Sequence, residues 1–298
     1  MRRRAAAVAL VTALVAGLTV LAAPGAAAAG KVTLLSAGLK GAREVPGPGD
    51  PDGRGRAFVR LAGGKACFVL QWSKINAPIA AHIHEGRAGV AGPVVVLFFQ
   101  PGTNAASLPD TLDAVAGCVD VDRGLAARIA SNPRDFYVNI HTADFPDGAV
   151  RGQLHRAGRL DLDLPHQLAA RLRGANEVPP ADPDGRGLAL IRAGRQRVCF
   201  AVGWERITPP IFAHIHRGAV GVNGPVVVLF FDVPELDPNQ PMPPAQLPAT
   251  ISAAAGCLNG QDPALLREIR GQPSAFYVNV HTPEFPGGAI RGQLRRVA

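Results

Sequence analysis

The chain has 298 residues with 31 basic and 23 acidic side chains, which gives a formal net charge of +8. Three of the basic residues lie at the extreme N-terminus, and without them 28 basic residues face 23 acidic ones, a net charge of +5. Because the arginines are scattered through predicted turns and strand ends, and no nucleic-acid-binding motif accompanies them, we expect no nucleic-acid partner. About 270 residues remain beyond the N-terminal segment, enough for two domains that each bury a core.

Residues 1–29 are predicted to be a signal peptide. Three arginines at positions 2–4 precede an apolar run over residues 5–23, and a stretch of alanines at 26–29 suits cleavage. The apolar run is nearly long enough to cross a bilayer, so an uncleaved anchor is the alternative. The helix-breaking Pro24-Gly25 pair favours cleavage, which predicts a secreted, extracellular protein without a membrane partner.

An internal repeat organises the rest of the chain into two modules, residues 31–156 and 168–298, joined by a linker at 157–167. Gly92–Phe99 recurs unchanged as Gly224–Phe231. The two copies are offset by 132 residues through their histidine pairs and by 140 residues at their ends. The second copy has therefore gained eight residues, mostly in a proline-rich stretch at 233–248 that we interpret as a surface loop.

Each module is predicted to be an all-β Greek-key barrel or sandwich with one short helix. Short runs rich in Val, Ile, Phe and Leu alternate with turn residues, a pattern typical of strands. The seven strands predicted in the first module are 32–38, 56–61, 66–73, 79–84, 94–99, 136–141 and 149–154. The helix is predicted over residues 122–130, and in the second module it is capped by Asp262, begins with Pro263 and stops at Gly271.

Four cysteines in an exported chain indicate disulfides rather than thiolate metal ligands, because the compartment is oxidising and no Cys-x-x-Cys motif occurs. Cys67 and Cys118 fall in the first module, and Cys199 and Cys257 occupy the equivalent places in the second. The repeat therefore selects the pairs Cys67–Cys118 and Cys199–Cys257 from the three possible connectivities.

Three histidines in each module form the main candidate site. His82 and His84 alternate with Ala81 and Ile83 along a predicted strand, so both imidazoles point to the same side. The same alternation places His141 on the polar side of its own strand, where it could complete a three-nitrogen metal site. The equivalent residues of the second module are His214, His216 and His281.

Other polar side chains are predicted to share the histidine face and to act as secondary ligands or supports. They are Tyr137, Asn139, Arg151 and Gln153 in the first module, and Tyr277, Asn279, Arg291 and Gln293 in the second. A neighbouring arginine would disfavour protonation of the imidazoles, and could equally hold an anion. Recent duplication alone could also explain the repeated histidines, in which case they are hydrogen-bonded structural residues.

Two further repeated residue types have competing interpretations. Glu44 and Glu177 are read as partners of Arg151 and Arg291 or as solvated charges, with a metal-ligand role as the alternative. Trp72 and Trp204 are expected to anchor the cores rather than to form ligand platforms.

Several of these motifs together resemble the CHRD domain, the module named for chordin. They are Glu-Val-Pro, Ala-His-Ile-His-x-Gly, Gly-Pro-Val-Val, Phe-Tyr-Val-Asn-x-His-Thr and Gly-Ala-x-Arg-Gly-Gln-Leu, and each occurs twice. The resemblance implies β-barrel or immunoglobulin-like extracellular modules and does not imply a particular activity. The His-x-His strand is also similar to part of the copper site of copper/zinc superoxide dismutase, but the fourth and bridging ligands of that binuclear site have no obvious counterpart here.

Three functions are therefore open at this point. The first is a non-enzymatic secreted binding or structural protein with a copper or zinc site in each module. The second is a copper-dependent redox enzyme related to superoxide dismutase, and the third is a purely structural or adhesive module pair. The sequence does not identify an extracellular ligand or an oligomeric state.

Overall fold

The computed structural model describes residues 32–157, 167–235 and 244–297, so the predicted signal peptide and most of the predicted linker lie outside the described residues. Within them the fold is all-β, as predicted, with antiparallel strands and two short helices. Within these ranges, no helix has the length and apolar character needed to cross a membrane.

The first domain contains nine strands and one α-helix. The strands are β1 Thr33–Lys40, β2 Arg54–Ala62, β3 Lys65–Ser73, β4 Pro78–Glu85, β5 Val94–Phe99, β6 Ala114–Asp120, β7 Phe136–Thr142, β8 Val150–Gln153 and β9 His155–Arg156. Helix α1, Arg123–Ser131, begins after Asp122, whose side chain accepts a hydrogen bond from the Leu125 amide.

The second domain repeats this order. Its strands are β10 Leu168–Arg173, β11 Arg186–Ala193, β12 Arg197–Glu205, β13 Phe212–Arg217, β14 Val226–Asp232, β15 Ile251–Asn259, β16 Phe276–His281, β17 Ile290–Gln293 and β18 Arg295–Arg296. Helix α2, Pro263–Gly271, is capped by Asp262 through the Ala264 amide, so the predicted cap, start and end of this helix are all confirmed.

Hydrogen bonding links the strands of the first domain in the order β5-β4-β7-β8-β1-β2-β3-β6. The second domain has the equivalent order β14-β13-β16-β17-β10-β11-β12-β15. No ladder joins β5 to β6 among the described strands, so the sheet folds over on itself as a sandwich without closing. Its inner faces bury a core in which the Phe68 ring packs against that of Phe98. In the second domain the Phe200 ring stacks on that of Phe230.

The two domains share one continuous sheet, because β6 of the first pairs with β15 of the second. A second apolar cluster lies at this junction and is made of small and branched residues that include Ala114, Ala116, Ala201 and Ala253. β6 has no counterpart among the predicted strands, whereas β1 to β5, β7 and β8 each match one.

Both predicted disulfides are confirmed. Cys67–Cys118 ties β3 to β6, and Cys199–Cys257 ties β12 to β15. Trp72 and Trp204 are buried in the core, in agreement with the predicted anchoring role.

Candidate metal centre

Strands β4 and β7 position the three histidines of the first domain. His82 lies opposite Asn139 and His84 opposite Tyr137, whereas His141 lies opposite Ala80 and is therefore the diagonal neighbour of His82. The β4–β5 pairing shifts register on either side of the His82-Ile83 pair, an irregularity that re-aims side chains. The second domain repeats both the register and the shifts.

The imidazoles of the first domain converge. Each of His82, His84 and His141 offers a nitrogen that lies within 4.8 Å of those of the other two. The Nδ1 of His82 is 3.1 Å from the Nε2 of His141, and their ring centroids are 4.9 Å apart. The His84 ring stacks on Tyr137 with centroids 4.7 Å apart and an interplanar angle of 9°.

Backbone carbonyls determine the tautomers of two histidines in each domain. The Nδ1 of His84 is 2.9 Å from the Gly92 oxygen, and that of His141 is 2.8 Å from the Pro146 oxygen. Because a carbonyl oxygen only accepts, Nδ1 carries the proton in both rings, which leaves Nε2 with its lone pair. An imidazole fixed in this way by a carbonyl is the usual arrangement of a metal-ligating histidine.

The second domain carries the same contacts, with Gly224 and Pro286 supplying the carbonyls. Here one nitrogen of each ring is buried without a hydrogen-bond partner, namely Nδ1 of His214, Nε2 of His216 and Nε2 of His281. In the first domain His82 and His141, the counterparts of His214 and His281, instead form a direct hydrogen bond with each other. Phe212 stacks on His281 at 4.3 Å, where the first domain has Ala80, so the second cluster is the more apolar.

Burial keeps the clusters neutral at physiological pH. It lowers the pKa of His82 to about 4, with His141 and His84 adding smaller effects, and lowers the pKa of His281 to about 4. The pKa of His214 falls to about 3 for the same reason. Neutral imidazole is the form that ligates metal, so no proton has to be displaced at pH 7.

The polar side of the sheet, which carries the histidines, is covered by a loop. Residues 86–93 and their counterparts 218–225, here named the covering loops, fold over the stacked tyrosines. The guanidinium of Arg151 donates to the carbonyls of Arg87 and Val90 at 3.1 and 2.7 Å, and lies 3.3 Å from the centroid of the Tyr137 ring. Arg151, Tyr137 and Asn139 are consequently buried.

The predicted supporting residues thus fall into two groups. Gln153 donates to the carbonyls of Gly86 and Arg134, and the Gly92 amide donates to the Tyr137 hydroxyl, so both side chains hold the covering loop. In the second domain Tyr277 and Gln293 hold the second covering loop in the same way, and Arg291 does so as Arg151 does in the first. Asn139 instead donates to Glu44, at 3.0 Å.

Glu44 is neither solvated nor in ion-pair contact with Arg151 or a histidine. It is buried, and desolvation raises its pKa to about 8 despite the opposing effects of Arg151 and Asn139. Glu177 is buried in the same way, and its pKa rises to about 7. The predicted solvated charge is therefore wrong, because residues 148–149 and Asn139 close over the carboxyl group.

The four carbonyls that orient the histidines were not among the predicted site features. Their only sequence signal is the recurrence of Gly92-Pro93 and Phe145-Pro146 near the histidine motifs. Within the described residues, each cluster consists of three histidines with no fourth His, Cys, Asp or Glu. Three imidazole nitrogens and one open position are a ligand set suited to zinc or copper.

Comparison with known protein families gives a consistent picture. The family model described as the CHRD domain matches the chain twice, over residues 35–154 and 168–294. A search of curated proteins returns no match.

Proposed function

The chain belongs to the CHRD family, and because each of its two domains gathers three imidazoles, we propose that it is a secreted protein that binds one copper or zinc ion per domain. CHRD domains are extracellular modules, and the two disulfides suit an oxidising compartment. The predicted N-terminal signal supports secretion.

The observation that carries the metal proposal is the set of unpaired nitrogens in the second domain. His214, His216 and His281 each bury one ring nitrogen without a partner, and nitrogens of the three rings lie within 4.8 Å of one another. A buried polar atom without a hydrogen bond costs about 1–3 kcal/mol. One metal ion would satisfy all three nitrogens at once.

The nature of the ligands selects the metal class. Imidazole nitrogen favours zinc and copper over magnesium and calcium, which prefer oxygen ligands. Copper(II) is bound more tightly than zinc by a given nitrogen site. The open fourth position leaves room for water or a ligand, and a binuclear redox centre would need more residues than either cluster contains.

The test is metal titration of the full chain, expressed with its signal segment, purified without an affinity tag and stripped with EDTA. Isothermal titration with Cu(II) and Zn(II), followed by elemental analysis after gel filtration, should give two ions per chain. The variants His84→Gln and His216→Gln should each bind one ion, and the double variant none. His155→Gln is the matched control, because His155 is exposed and lies outside both clusters.

The outcomes separate the three functions. Two bound ions without superoxide turnover support a metal-binding role, and rapid superoxide consumption by the copper-loaded chain would instead establish the redox enzyme. Failure of wild-type protein to retain either metal, with unchanged melting temperature, would reject the site and leave structural histidines.

A further inference from the structure

A basic groove lies at the junction of the two domains, and none of the clustered histidines lines it. It encloses about 450 Å³ and is lined by β2 and β3 of the first domain and by β12 and β15 of the second. Its charged lining residues are Arg54, Arg56, Lys74, Arg197 and Asp113, four cations against one carboxylate. This volume is typical of a small-ligand site.

One face of the β2–β3 pair supplies a block of hydrogen-bond donors. Arg54 lies opposite Ser73, and Arg56 lies opposite Gln71. Because alternate residues share a face, these four side chains point to the same side of the sheet. From the second domain, Arg197 and its cross-strand partner Asn259 complete the lining.

The internal repeat provides a built-in comparison for this groove. In the repeat-related position, Arg186 lies opposite Glu205 and forms an ion pair with it. Lys65, the counterpart of Arg197, forms an ion pair with Asp120 at 2.7 Å. Both cations of the second position are therefore neutralised by the residue directly across the ladder.

The groove has no acid at the two equivalent positions. Ser73 replaces the counterpart of Glu205, and Asn259 replaces the counterpart of Asp120. The groove also carries Arg56 and Gln71 where the second position has Leu188 and Gly203.

Among the described residues, two cations of β2 have no carboxylate partner, Arg54 because Ser73 stands in place of its acid and Arg56 because the second position has no cation there. Lys74 pairs with Asp52 at 2.5 Å, as Arg206 pairs with Asp184 in the second domain. Arg54 and Arg56, by contrast, form no ion pair within the described part of the chain, and Arg54 acts on Asp52 only through space. Two guanidinium groups on one face, about 6.6 Å apart at their backbones, are left to be neutralised from outside.

We propose that this groove binds an oxyanion carrying two negative charges, which is free phosphate, free sulfate or the phosphate ester of a sugar. Guanidinium groups recognise such oxyanions through paired charge-assisted hydrogen bonds. The hydroxyl of Ser73 and the amides of Gln71 and Asn259 add neutral donors that an anion can use. The proposal is independent of metal binding at the histidines.

The experiment is calorimetric titration of the full, EDTA-stripped chain at constant ionic strength. The probes are inorganic phosphate, inorganic sulfate and glucose 6-phosphate, with chloride as the reference anion. We expect saturable binding of one anion per chain. Tighter binding of glucose 6-phosphate would assign the site to an ester, whereas equal or weaker binding would assign it to the free anion.

The decisive variant is the double substitution Ser73→Glu with Asn259→Asp, which installs the acids of the repeat-related position. It should fold normally, since the repeat-related position tolerates the equivalent pairs, and should weaken binding by about tenfold or more. Arg56→Leu, the residue of the second domain, should weaken binding to a similar extent. Arg186→Gln is the matched control and should leave the affinity unchanged.

The proposal is overturned by any of three results. One is the absence of saturable binding of all three probes up to about 10 mM, a concentration beyond which an affinity is too weak to be specific. The others are unchanged affinity in the double variant and an equal loss in the Arg186→Gln control.

Discussion

Val115 and Ala254 lie directly opposite each other where β6 of the first domain pairs with β15 of the second. The two residues are equivalent in the repeat, since each stands three positions before the second cysteine of its domain. On either side of them Ala114 pairs with Ala255 and Ala116 with Ala253. Each strand thus pairs antiparallel with the equivalent strand of the other domain. The junction is thus a pseudo-two-fold interface of the kind found in symmetric dimers.

The close approach of β6 to β15 requires a glycine at position 117, which gives the first prediction. A Cβ added to Gly117 would lie 1.8 Å from the Thr250 carbonyl oxygen of the other domain. Only a shift of one of the two backbones would relieve this clash. Gly117→Ala should therefore lower the free energy of unfolding by about 1–3 kcal/mol, measured by urea denaturation. It should also expose the junction to limited proteolysis.

Gly38→Ala is the control for this change. Gly38 also lies in a strand, and a Cβ there would meet nothing within 4 Å. If Gly117→Ala were as stable as Gly38→Ala, the direct pairing of β6 with β15 would be wrong.

The same junction explains why the sequence did not predict β6. The segment Ala114–Asp120 contains two alanines, a glycine and no aromatic residue, so only its two valines indicate a strand. Small residues are required there because another domain packs directly against the backbone. Hydrophobic periodicity detects strands that bury large side chains. It does not detect a strand such as β6, whose small side chains allow the backbone of the other domain to pack against it.

The histidine site was also only partly predictable from the sequence. Alternation alone placed His82 and His84 on one face and brought His141 to the same side, because side-chain direction in a strand follows from local geometry. The covering loops and the orienting carbonyls of Gly92 and Pro146 depend on irregular backbone conformation. No local pattern specifies such a conformation, so neither the burial of the cluster nor its tautomers could be predicted.

The disulfides provide the second prediction. Cys67–Cys118 closes a loop of 51 residues and ties the junction strand β6 to its own domain. The double substitution Cys67→Ala with Cys118→Ala should lower the free energy of unfolding by about 2–4 kcal/mol, because the unfolded chain regains loop entropy. Urea denaturation with and without reductant measures this, and reductant should shift the midpoint of the variant less than that of the wild type. An unchanged midpoint in the variant would contradict the prediction.

The third prediction concerns the covering loop of the first domain. Arg151 joins that loop to Tyr137 and indirectly fixes the Gly92 carbonyl that orients His84. Arg151→Lys keeps the charge but loses the planar fork and its stacking. If the metal proposal holds, Cu(II) affinity of the first domain should fall about 10–100-fold, as is usual when a supporting contact of a ligand is lost.

This measurement is best made on a chain that carries His216→Gln, so that only the first domain titrates. Arg60→Lys, an exposed position on β2, serves as the control and should leave the affinity unchanged. Equal affinities of Arg151→Lys and Arg60→Lys would show that the loop does not position the ligand.

The buried carboxyls Glu44 and Glu177 give the last prediction, a dependence of stability on pH. Their pKa values rise to about 8 and about 7 in the folded chain, so the folded state holds these protons more tightly than the unfolded state does. The stabilising contribution is complete below the ordinary glutamate pKa of 4.5 and is lost as the pH rises through the folded values. Above the range in which the histidines titrate, stability should therefore decrease between about pH 7.5 and pH 9.

The histidines oppose this decrease at lower pH but do not affect it above about pH 7.5, because their pKa values are lowered rather than raised. A lowered histidine pKa contributes stability that is complete above the unfolded value of 6.5 and is lost as the pH falls, so it gives no slope between about pH 7.5 and pH 9. Glu44→Gln mimics the protonated carboxyl and keeps an acceptor for Asn139. It should flatten the decrease in that window, measured by urea denaturation in metal-free buffer. Glu284→Gln, at an exposed position, should keep the wild-type slope, and an identical slope in both variants would show that Glu44 is ionised in the folded chain.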